Sequence, residues 1–284
     1  MPPACAAYDR ASACHSSYPR FRAQPGVLLH ALCKSKIKNF QNTSLPMPTQ
    51  HLSQVKLTRN LLNAGVVAGP LAICTGFAQA MLRDGFDLHR HASSQLALGE
   101  FGWIQSLNFV FAGALTLTFA IGTRRVLRGT PGGFWAPLLL AVFAVTHILV
   151  GLFATDPAFG FPPGPDTPLG LPPYNQVSPH GVLHAVFASI GFIALTTAAF
   201  VLAWHFGRSN WAWLVASLCI SAVTIGVGVY AAVWEAQHTD PAVRATAQFD
   251  FLPMWASLPL IWSYLTALAW KLRQFSAGRD EALK

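Results

Sequence analysis

Of the chain's 284 residues 53% are apolar and only 11% charged, with a mean hydropathy of +0.41 and a net charge of +8. An ordinary soluble domain holds about a quarter charged residues, so this composition excludes one and indicates a chain dissolved in lipid. The excess of cations is no nucleic-acid signal, because they collect at the ends of apolar runs, and five scattered cysteines make no disulfide framework.

Residues 1–58 differ from the rest in being polar, irregular and basic. They are expected to be a disordered segment, or an upstream extension ahead of a true start at Met47. Six windows free of Asp, Glu, Lys and Arg follow, at 61–82, 102–122, 134–154, 181–205, 211–234 and 251–270. Each approaches the roughly 20 residues that a helix rising about 1.5 Å per residue needs to cross a hydrocarbon core. The prediction is an all-α integral membrane bundle of six transmembrane helices over 59–275, followed by a cytoplasmic tail at 276–284.

Lys and Arg accumulate in cytoplasmic segments. With the N-terminus inside, the inner segments carry sixteen of the nineteen basic residues, and the outer loops carry only Arg83, Arg90 and Arg244. Both termini are therefore expected to be cytoplasmic.

Along the chain, Gly65, Gly69, Pro70 and Gly76 in the first span suit close helix packing in lipid. Gln105 and Asn108, three apart in the second, share a face that should look into the bundle. His147 lies about nine residues below Asp156, roughly 13 Å along a helix, a depth expected to separate it from His184. Thr155-Asp156-Pro157-Ala158 recurs as Thr239-Asp240-Pro241-Ala242, and each Asp-Pro pair has the form of a helix cap.

Four motifs occur in order: Arg83-Asp84-Gly85-Phe86-Asp87; Leu98 to Gln105 with Asn108-Phe109; Asp156-Pro157 with Gly160-Phe161-Pro162-Pro163-Gly164; and Ser178-Pro179-His180-Gly181-Val182-Leu183-His184. Together they resemble the DUF998 family of prokaryotic multi-spanning membrane proteins over about 60–275. The resemblance implies a multi-pass protein of a prokaryotic plasma membrane. It supplies no activity.

His180 and His184, four apart at the start of the fourth span, share a helix face. With Asp156 across the loop they form a candidate zinc donor set, since imidazole pairs at this spacing commonly supply half of such a site. The competing reading makes His184 a structural latch on Asp156. Gln105, Asn108, Asp156, His180, His184 and Glu235 are expected to form a polar pocket in the outer half. Three roles follow: binding, sensing or moving a small molecule or lipid; metal-dependent hydrolysis of a lipid or other amphiphile at the outer interface; or assembly with other membrane proteins. Membrane lipids are the expected surroundings, and no nucleic-acid partner is expected.

Overall fold

The computed structural model describes residues 49–207 and 209–281; the expectations for residues 1–48 lie outside them. The described residues form six long helices, each apolar enough to span a membrane: α1 (Thr49–Leu82), α2 (Gly102–Leu127), α3 (Trp135–Leu152), α4 (Pro179–Gly207), α5 (Trp211–Gln237) and α7 (Leu252–Glu281). The four-residue α6 (Pro241–Arg244) lies between the last two, and 3₁₀ turns occupy Ser93–Ala97 and Tyr174–Gln176. Where charge-free windows predict spans, helices stand. Several run past their windows, because a helix can continue beyond hydrocarbon once polar side chains reach water. The extra turns at the start of α1 are tied down by Arg125 of α2, whose Nη1 donates to Gln54 Oε1 at 3.0 Å.

Consecutive helices α2 to α5 pack pairwise, and α7 returns against α5 and α2. The long connections 83–101, 153–178 and 238–251 all leave one end of the bundle, here called the capped end, while tight turns close the other. Leu62, Phe119, Leu140, Leu195 and Leu268 fill the centre. Trp103 at the capped end, and Trp135, Trp211 and Trp270 at the other, are exposed as interface anchors.

Hydrocarbon provides no apolar driving force between helices, so contact and hydrogen bonding must hold them. Thr196 and Thr224 hydroxyls meet at 2.7 Å between α4 and α5, and Ser217 meets Tyr264 at 2.8 Å between α5 and α7. On α1, Gly69 lies so close to α7 that an added Cβ would stand 2.8 Å from the Trp262 carbonyl oxygen. That neighbour is backbone and cannot rotate away. Gly69→Ala should therefore lower thermal stability in detergent, by the roughly 1–3 kcal/mol typical of overpacking. Gly76→Ala, whose Cβ would meet nothing within 4 Å, should not, and equal melting curves for the two variants would refute the close-approach account.

Candidate functional site

The three long loops are folded into one another. Phe159, buried, has a left-handed backbone (φ 57°), a conformation that costs a non-glycine residue energy and needs support from its surroundings. That backbone turns its carbonyl toward the 83–101 loop, where it accepts from His91 Nε2 at 3.0 Å and from Arg90 Nη2 at 3.3 Å. His91 Nδ1 in turn accepts the Asp87 N–H at 2.9 Å. One ring nitrogen must accept and the other donate, which fixes a neutral imidazole with its proton on Nε2. Gln95 Nε2 donates to Ala158 O at 2.7 Å, and Trp255 of α7 donates to His91 O at 2.8 Å. Arg83 donates from Nη1 and Nη2 to Leu96 O and Leu98 O, both at 2.6 Å, with its guanidinium over the Phe161 ring. Burial holds that guanidinium below its ordinary value.

Beside this cap begins α4. Ser178 precedes Pro179 at the first helical position and accepts the Gly181 N–H on its Oγ at 3.0 Å, as an N-cap serine does. Asp156 reaches across and accepts the Ser178 N–H on Oδ2 at 2.9 Å; a Cβ on Gly181 would overlap its carboxylate. A carboxylate here also opposes the positive end of the helix dipole. The repeated Asp-Pro pair thus behaves differently in its two copies. Asp240 caps α6 directly, accepting from Ala242 N at 2.8 Å, whereas no helix follows Pro157 and Asp156 serves α4 instead.

Beneath the cap lies a cavity of about 530 Å³ between α4 and α5. Val182, Val186, Trp234, Phe249 and Phe251 give it an apolar and aromatic wall, and Asp156, Tyr174, Glu235 and Arg244 its polar groups. Arg244, 5% exposed, is clamped by Glu235: Nη2 donates to Oε1 at 3.2 Å, and Nη1 pairs with Oε2. Tyr174 donates to Glu235 Oε2 at 2.8 Å and lies 4.2 Å beneath the Arg244 guanidinium. Accepting that bond, the Glu235 carboxylate pushes the Tyr174 phenol above its ordinary value, with burial adding to the effect.

The six residues expected to share a pocket divide among several places. Asp156 and Glu235 line the large cavity. His184 is buried on a deeper one of about 140 Å³, its Nδ1 donating to Phe153 O at 2.8 Å; the expected latch to Asp156 is replaced by this bond. Gln105 and Asn108 are buried at a third cavity of about 40 Å³, where Gln105 Oε1 accepts from Gln79 Nε2 at 2.7 Å and from Asn108 Nδ2 at 3.2 Å. His180 is exposed, its ring 5.5 Å from that of Phe153. Among the described residues no three His, Cys, Asp or Glu side chains gather at metal-ligand spacing.

Sequence reasoning assigns no site role to Arg244 or Tyr174. Arg244 is the sole Lys or Arg between Ser209 and Trp270, but it falls in a connection between spans, where a cation needs no partner, so the sequence does not mark it. The sequence expectation sets His147 too deep to meet His184, yet both line the 140 Å³ cavity. The reason is that α3 ends at Leu152 and α4 starts at Pro179, so the two imidazoles lie the same number of residues from the capped end.

Burial is the main force holding the His91 imidazole below its ordinary value of 6.5, opposed by its bond to Phe159. A histidine lowered in this way binds fewer protons folded than unfolded. Its stabilisation is complete above pH 6.5 and is lost as pH falls toward the lowered folded value. Melting temperature should therefore drop between pH 7.5 and 5. His91→Asn, which retains an acceptor for the Asp87 N–H, should melt lower at pH 7.5, by a loss of about 1–3 kcal/mol, and show a flatter pH dependence. An unchanged slope in that variant would remove His91 as its source.

Comparison with curated proteins and with solved structures gave no match. Residues 66–271, from within α1 to within α7, match the profile of a family described as "Protein of unknown function (DUF998)". This stretch takes in the capped end and the three cavities just described, and the chain belongs to the DUF998 family.

Proposed function

We propose that the protein binds an amphiphile carrying an ammonium headgroup in the cavity beneath the capped end, at the edge of the bilayer. The observation that carries this reading is the lining of that cavity. Its volume of about 530 Å³ lies within the range of small-molecule sites, and Val182 and Val186 on its wall remain 49% and 45% exposed. A headgroup inside could therefore leave its chain in the bilayer between α4 and α5.

The charges favour a cation. Arg244 is offset by Glu235, which leaves Asp156, at the α4 N-terminus, as the charged lining side chain with no cationic partner, and Tyr174, Trp234, Phe249 and Phe251 offer aromatic faces that attract ammonium groups. In this reading the capped end faces outward and both termini are cytoplasmic, in the plasma membrane of a prokaryote, as the distribution of Lys and Arg supports.

Native mass spectrometry of the protein released from mixed vesicles tests the headgroup. Phosphatidylethanolamine should be retained over phosphatidylglycerol. Asp156→Asn, which can still cap α4, should weaken retention about tenfold, equivalent to about 1.4 kcal/mol. Equal retention of the anionic lipid would sink the proposal. Topology is tested separately with a cysteine at Asp166 in a chain whose five native cysteines are replaced by serine. It should react with an impermeant maleimide added from outside; reaction only after permeabilisation would reverse the orientation.

A further inference from the structure

His147 and His184 stand inside the spans and have no part in the headgroup pocket. The 140 Å³ chamber they line shares Ser93, Phe109, His147 and Trp262 with the 40 Å³ cavity at Gln105 and Asn108. On its outer side it shares Ser94 with the 530 Å³ pocket. The three cavities thus adjoin through shared lining residues, and the Ser93–Ala97 turn contributes to each.

The unmet polar groups of the two inner cavities are acceptors. A carbonyl oxygen can only accept, so His184 carries its proton on Nδ1 toward Phe153 and keeps a lone pair on Nε2. His147 touches the rings of Phe109, Phe143 and Trp262 at 5.1 to 5.4 Å, and no hydrogen bond ties it to a described residue. At the 40 Å³ cavity Asn108 Oδ1 is buried without a partner, as is Oε1 of Gln79, whose Nε2 bonds Gln105. Left dry, each would cost about 1–3 kcal/mol. Water satisfies such groups, and at about 30 Å³ per molecule the chamber has room for several.

We propose that His147 and His184 together bind one proton, shared through water in this chamber and loaded from the capped end by way of the outer pocket. A second proton is opposed by the first, because two like charges in one small cavity repel strongly. No other titratable group lines the chamber from α1, α2, α7 or the Ser93–Ala97 turn. The nearest acid along α4 is Asp156, at the helix's first turn against Gly181. The single charge is accommodated by water, by the Asn108 amide oxygen and by the faces of Phe143 and Trp262. Ionisable side chains inside spans commonly mark proton relays, and this pair gives the bundle a proton input distinct from its headgroup pocket.

The test uses the full chain in lipid nanodiscs with ¹⁵N-labelled histidine. The His147 and His184 signals, assigned from His147→Gln and His184→Gln, should titrate as one coupled pair between about pH 4 and 8. Each single variant should move the remaining histidine's midpoint by about one unit, the coupling that defines a shared site. Trp262 is an internal reporter, since a protonated imidazole against indole quenches emission. Acidification should dim the wild type and leave His147→Gln unchanged, with Trp262→Phe identifying the signal. Independent titration of the two histidines, or none in that range, would overturn the proposal. Should a Gln variant fail to fold, radiolytic hydroxyl labelling of the wild type decides: water in the chamber marks the buried Trp262, and an unmarked Trp262 means a dry chamber and no shared proton. Failure of the phosphatidylethanolamine experiment leaves this titration unaffected.

Discussion

The carbonyl oxygen of Phe159 is where the 83–101 and 153–178 loops are pinned together. Its position requires a left-handed backbone in a buried aromatic residue, and two side chains of the first loop close on it. The fixed tautomer of His91, the approach of Gln95 to Ala158 and the seating of Trp255 all follow from that meeting. With the loops held, Asp156 lies over the first turn of α4 and the cavity beneath has a roof. Without them the bundle would be six apolar rods whose connecting segments define no pocket.

The polar groups are sorted between loops and spans. At the bilayer edge a full ion pair, Arg244 with Glu235, is acceptable because water and headgroups are near, and Tyr174 packs against it. Within the spans the cavities are lined by imidazoles, which can remain neutral, and by amides linked from α1 to α2 through Gln79 and Gln105. Full charge thus stays in the loops and at helix ends, and neutral groups in the spans, as the cost of charge in hydrocarbon requires. This sorting also explains how one bundle accommodates an ionic pocket and a deeper chamber without placing a permanent charge at mid-span.

Much of the architecture could be read from where charged residues are missing. An Asp, Glu, Lys or Arg in hydrocarbon is penalised whatever its neighbours, so a charge-free window of sufficient length is a local signal. The site was less legible, since its bonds are not local. Gln105 and Asn108 are three apart on one helix and announce a shared face, but their partner Gln79 stands on α1. Asp156 and His184 could be seen as neighbours of a loop, while backbone groups, the Ser178 N–H and the Phe153 carbonyl, won over the side-chain pairing that the residue types suggested. Backbone partners carry no mark in a sequence. The matching depth of His147 and His184 was hidden for a related reason, because it depends on where α3 and α4 end.

The bond from Trp255 to the His91 carbonyl joins positions 164 residues apart, and beside it the Phe251 N–H reaches His89 O at 2.8 Å. Closing so long a loop carries an entropic cost that local contacts do not. The roof of the site is therefore completed by α7, the last of the described spans in chain order: α1 to α5 can insert and pair with their sequence neighbours while the pocket stands open, and the entry of α7 turns a row of hairpins into a closed vessel.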